Sequence, residues 1–174
     1  MKLNLKKMFL LDLCIIALGV FLDRITKLWA IRDLKGQDSI VLIKGALELH
    51  YLENRGAAFG ILQNQKIFFL IMTTVVALAL IYVLFKMPDD KVYRIYHIAG
   101  SVLLAGAIGN FWDRLVYEYV VDFIYFSLIN FPVFNVADIF VSVTCFLCVL
   151  VVLFAKGEEP DFAFLSLKKK KTEE

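Results

Sequence analysis

The stretch "VVDFIYFSLINFPVFNVADIFVSV", from Val120 to Val143, is apolar almost throughout, yet it carries two acids, Asp122 and Asp138, as its only charged side chains. How this stretch runs decides the fold. On one continuous helix, a rise of about 1.5 Å per residue would hold the two carboxylates roughly 24 Å apart, too far to cooperate. Pro132 argues against such a helix, because proline lacks the N–H that the helix needs and clashes with the preceding turn. The residues from Ile124 to Phe134 are also too few to cross a hydrocarbon core of about 30 Å. The chain is therefore expected to leave a membrane face after Asp122 and re-enter the same face before Asp138, which brings both acids to one depth.

The rest of the chain fits that path. Its 174 residues suffice for one domain, and hydrophobic types make up 60% of them. An ordinary soluble domain is about 45–50% apolar, and the mean hydropathy here is +0.74, so the class expected is an all-α integral membrane protein. A net charge of +2 gives no basic face for nucleic acid. Cys14, Cys145 and Cys148 all lie inside apolar runs, where neither a disulfide framework nor a four-ligand zinc site is plausible. Uninterrupted apolar runs at Ile67–Phe85, Ile95–Trp112 and Ile139–Ala155 each approach the length of a spanning helix. A fourth, Met8 to Ala30, is broken by Asp12, Asp23, Arg24 and Lys27, and could be read as a secretory signal; no small-x-small cleavage site follows Leu18, so a retained helix is preferred.

The expected layout is thus one membrane-embedded domain over 1–156, with four transmembrane helices at about 8–30, 67–85, 95–114 and 136–155, and a basic cytoplasmic tail at 157–174. Four spans return the chain to its starting side. Lys2, Lys6, Lys7, the Lys86 to Arg94 loop and Lys168 to Lys171 favour the cytoplasm for both ends, although Arg32, Lys35, Lys44 and Arg55 on the first loop oppose that orientation. Within that loop "ALELHYLE" alternates apolar and polar residues, and "SIVLI" offers a partner strand, which predicts a small extracytoplasmic β-sheet or hairpin over about 38–60.

In this topology Asp122 and Asp138 meet at the outer surface. Asp23 falls near the outer end of the first helix and Asn54 shortly before the second. Asn110 and Arg114 share a helical face at i,i+4 spacing, and Asn135 shares one with Asp138 at i,i+3. Ionisable groups at membrane depth usually mark a functional site. A helix-start acid such as Asp138 could merely answer the helix dipole, but Asp122 sits beyond a helix C-terminus, where negative charge is disfavoured. Two neighbouring carboxyl groups separate their pKa values and share one proton, so that one acts as acid and the other as base. No His-Glu-x-x-His or Gly-x-Ser-x-Gly motif offers competing machinery. His97 reads as an interhelical hydrogen-bonding residue and His50 as a surface strand residue. A proton-coupled transporter with the acids as a relay is the alternative.

Five stretches, "LDRITK" (Leu22 to Lys27), "NRGAAFG" (Asn54 to Gly60), "GNFWDR" (Gly109 to Arg114), "VVDFI" (Val120 to Ile124) and "FNVADIF" (Phe134 to Phe140), resemble in order those of the bacterial lipoprotein signal peptidases, signal peptidase II. The resemblance implies a polytopic inner-membrane aspartyl protease, with no metal or organic cofactor, that cuts prolipoproteins just before a cysteine bearing a diacylglyceryl group. Prolipoproteins and membrane lipids are then the expected partners of a monomeric enzyme. It implies Asp122 and Asp138 as the catalytic pair and Asp23, Asn54, Asn110, Arg114 and Asn135 as the polar shell that orients the pair or the substrate. The first loop would cradle substrate, and the segment between the third and fourth helices would be its lid. Arg24 departs from the glutamine usual after the first aspartate and places a positive charge beside Asp23.

Overall fold

A computed structural model describes residues 5–57, 61–154 and 162–165. Four long helices carry the chain: α1 (Leu5–Asp33), α2 (Lys66–Lys86), α3 (Arg94–Tyr117) and α4 (Val136–Phe154). Strands β1 (Ile40–Ile43) and β2 (Leu47–Asn54) lie between α1 and α2, and β3 (Val120–Tyr125) follows α3. Of the tail at 157–174 only a short 3-10 turn, Phe162–Leu165, is described, so the rest of the expected basic cytoplasmic tail lies outside the described residues.

Helix α3 is the axis of the molecule, packed against α1, α2 and α4. Its glycines permit this closeness: a Cβ on Gly106 would come within 2.7 Å of the Ala137 carbonyl of α4, and one on Gly109 would collide with the Asp23 carboxylate of α1. Helices α2 and α3 are long and apolar enough to cross a membrane, and α4 contains a shorter apolar segment. Helix α1 carries more charge, and its charged residues Asp12, Asp23, Arg24 and Lys27 all find polar partners on α1 or α3.

The expected hairpin is one strand short. The sheet is antiparallel in the order β1-β2-β3, so the strand that carries Asp122 joins the first loop. The surrounding apolar residues hid it, because Val120 to Ile124 read as a continuation of a membrane segment. Glu118 ends α3 in the left-handed conformation (φ 68°) and reverses the chain into β3, where Leu52 lies opposite Asp122. Side chains alternate along a strand. Val121 and Phe123 therefore pack on Ala30 and Leu34 at the end of α1, while Asp122 points the other way.

Beyond β3 the chain closes a loop. The Ile124 and Phe134 backbones pair (2.9 and 3.0 Å), so the segment between them folds back on itself. A 3-10 turn at Ser127–Ile129 forms its tip, with Leu128 and Ile129 exposed. Phe126, tilted, and Phe131, edge-on, both pack against Phe134 at its base.

Candidate active site

Three asparagines join the two acids. Asn54, at the end of β2, donates from Nδ2 to Asp122 Oδ2 (2.8 Å), while its own Oδ1 accepts from the Gly56 N–H (2.9 Å). It is thus both a turn residue and a ligand of the carboxylate. Asn135 precedes the first residue of α4 and forms a capping box with Asp138: its Oδ1 accepts from the Asp138 N–H (3.0 Å), and Asp138 Oδ2 accepts from the Asn135 N–H (3.1 Å). Its Nδ2 is left free to donate to Asp122 Oδ1 (2.6 Å) and to Asn110 Oδ1 (3.1 Å). Asn110 of α3 in turn donates to Asp138 Oδ1 (2.8 Å). One cap residue therefore holds both acids, and a helix start that looks merely structural becomes half of the site.

A second tier lies beneath. Lys27 is fully buried, donates to Asn110 Oδ1 (2.9 Å) and forms ion pairs with Asp23 Oδ2 (2.9 Å) and Asp113 Oδ2 (3.0 Å). Asp113 also accepts from Arg24 (2.9 Å) and from the Val121 N–H (3.2 Å), and Asp23 Oδ1 accepts from the Ala137 N–H (3.0 Å). Two cations and two anions balance here, so the group adds no net charge below the acids. Buried charges cost several kcal/mol each unless paired, and these are paired. Lys27 and Asp113 were not singled out from sequence, although both stand inside the quoted motifs. Their signal was a charge of each sign in otherwise apolar helices, which could have been matched.

The expected shell residues are thus not equivalent. Asn54, Asn110 and Asn135 touch the acids directly. Asp23 does not; it acts one step away, through Lys27 and the backbone beside Asp138. Arg24 turns from Asp23 to Asp113 and donates to the Tyr117 hydroxyl, which resolves the extra charge it brings. Arg114 bonds the Gly56 carbonyl (3.3 Å) and lies over the Phe69 ring, with its charge acting on both Asp138 and Asp122.

The acids open into a cleft of about 650 Å³, whose polar wall is Asn54, Asn110, Arg114, Asp122 and Asp138. Its opposite wall is apolar: Ile124 and Phe134 lie above, and Ile139 and Val143 continue along α4. Asp122 lies on β3, outside the four long helices, and is 1% exposed. Burial pushes its carboxyl up to about 7, the Asp138 charge adds to this, and the bonds from Asn54 and Asn135 oppose it. An acid that holds its proton near neutrality beside a second acid can supply acid and base at once. Among the described residues no group of three or more His, Cys, Asp or Glu is placed to hold a metal.

The model of the family described as signal peptidase (SPase) II matches residues 15–154. The chain belongs to the signal peptidase II family. It is therefore a peptidase, and the cleft with its two acids is the candidate active site of a membrane enzyme. The lipoprotein signal peptidase of Clostridium tetani is 42% identical over 152 residues, covering 86% of this chain and 96% of its own. That of Caldanaerobacter subterraneus is 46% identical over 144 residues, covering 82% and 96%. A solved bacterial membrane enzyme superposes with a TM-score of 0.70 at 31% identity, covering 94% of each chain.

Proposed function

We propose that this signal peptidase II removes the signal peptide from diacylglyceryl-modified prolipoproteins, cutting before the lipidated cysteine with Asp122 and Asp138 as the catalytic pair. The observation that carries the reading is the shared asparagine: Asn135 binds Asp122 with its side chain and Asp138 through its cap, so acids from β3 and α4 make one site. In this reading Asp122, whose carboxyl burial raises to about 7, carries the shared proton, and Asp138 takes the role of base. Water in the cleft gives a proton to Asp138 as its oxygen attacks the scissile carbonyl carbon, while Asp122 donates to the carbonyl oxygen. Collapse of the tetrahedral intermediate breaks the C–N bond; Asp138 gives its proton to the leaving amine, and Asp122 recovers its own. Arg114 and the Gly56 turn border the path of the substrate backbone, and the apolar wall along α4 suits acyl chains and a signal helix.

All four long helices span the inner membrane in this reading, as one peptidase domain over 1–156 followed by a cytoplasmic tail at 157–174. Both ends are cytoplasmic, the sheet and both acids lie at the outer face, and the enzyme works as a monomer. A scissile bond between a membrane-spanning signal helix and a lipidated cysteine arrives at that depth. The test is cleavage of a diacylglyceryl-modified prolipoprotein by the full chain in lipid nanodiscs, with the product mass read. A new N-terminal lipidated cysteine is expected. Proton or solute flux across vesicles with no cleavage would move the assignment to a transporter.

A further inference from the structure

A second buried polar cluster occupies the bundle away from the acid pair. Asp12 of α1 accepts from Ser101 Oγ (3.0 Å) and lies 2.9 Å from Nδ1 of His97, both on α3. Eleven residues along α1 separate Asp12 from Asp23, about 17 Å of helix, so the proteolytic reading uses none of these groups. In the neutral tautomer that donates Nδ1–H to the carboxylate, Nε2 of His97 is an acceptor. That nitrogen is buried without a partner, His97 being 3% exposed, and so is Oδ2 of Asp89, in the connection between α2 and α3.

Both residues line one cavity of about 320 Å³ together with Asp12. The other walls include Leu13, Ile16, Ile81, Leu84, Phe85 and Leu104, and among the described lining residues none is a lysine or arginine. A buried polar atom with no partner costs about 1–3 kcal/mol, and two such atoms on one cavity call for an occupant that brings donors. The walls require that occupant to be apolar elsewhere. Among the described lining residues an anionic head would meet two acids and an imidazole nitrogen. Ligand sites span about 300–1,000 Å³, and this one has room for a single chain.

The geometry points to a site for one alkyl or acyl chain whose head, a hydroxyl or an ammonium, donates to His97 Nε2 and Asp89 Oδ2. The chain has only two histidines, so ¹⁵N-histidine labelling of the full-length protein in nanodiscs reads His97 with His50 as internal control. Dodecanol and dodecylamine are the probes; dodecyl methyl ether, with no donor, and dodecanoate, an anion, are the controls. A saturable shift of the His97 Nε2 signal is expected from dodecanol or dodecylamine, with the His50 signal unmoved and the ether at least about tenfold weaker. The tighter of the two probes identifies the head as hydroxyl or ammonium. Ile16→Trp, or Leu13→Trp if the first variant does not fold, fills the cavity and should abolish the shift while cleavage persists. Equal response to alcohol and ether, preference for dodecanoate, no shift with any probe, or a shift that survives both fillers would overturn the assignment.

Discussion

Helices α2 and α3 are of similar length and have opposite duties. The more hydrophobic of them, α2, buries no residue and offers the lipid a nearly continuous apolar surface. Helix α3 buries His97, Ser101, Gly106, Gly109 and Asp113 and presents Asn110 and Arg114 to the cleft. Hydropathy ranks first the helix that contributes no residue to the cleft and undervalues the one around which the cleft is built. In a lipid solvent the informative residues are those that spoil the apolar pattern, since each needs a partner to be tolerated.

The contrast can be broken at its strongest point. Asp138→Asn removes the proposed base and should lower cleavage at least about 10³-fold with the fold retained, because the asparagine still caps α4. Lys27→Met should cost about 3–5 kcal/mol of stability by leaving Asp23 and Asp113 buried and unpaired, read as loss of folded protein by thermal melting in detergent. Asn110→Ala sharpens the comparison within α3: it unties Asp138 from Lys27, and a rate loss of about 10- to 100-fold with a smaller loss in melting temperature is expected. At the other extreme, Val75→Ala on the exposed face of α2 should change stability by no more than about 0.5 kcal/mol and leave cleavage unaltered.

The pH profile follows from Asp122. Its folded value near 7 lies above the ordinary 3.8, so folding retains a proton that the unfolded chain releases. The stability tied to that proton is full below about 4 and is lost as pH rises through 7. The cleavage rate should therefore fall above pH 7, about tenfold per unit once Asp122 is ionised. A flat profile to pH 9 would remove Asp122 as the proton carrier.

Much of this was legible in the sequence. Pro132 and the short interval between the acids argued against one continuous helix, and the chain instead folds back between Ile124 and Phe134. The i,i+3 spacing of Asn135 and Asp138 placed them together, and it is a capping box. The third strand was not legible, because its pairing with β2 joins residues far apart in sequence and its side chains are as apolar as a membrane segment. Nor was the division of labour between Asp23 and Lys27. Spacing put them on one face of α1, but only the approach of α3 decides which group reaches Asn110 and which stays beneath it.

The central claim is that an acid on a strand and an acid at a helix start act as one unit. A double-mutant cycle on single-turnover cleavage tests it most directly, with Asp122→Asn, Asp138→Asn and the double variant at matched folding. If the pair shares one task, the double variant should be slower than either single variant by no more than about threefold. Losses that multiply, or a single variant that cuts at a near-normal rate, would contradict it.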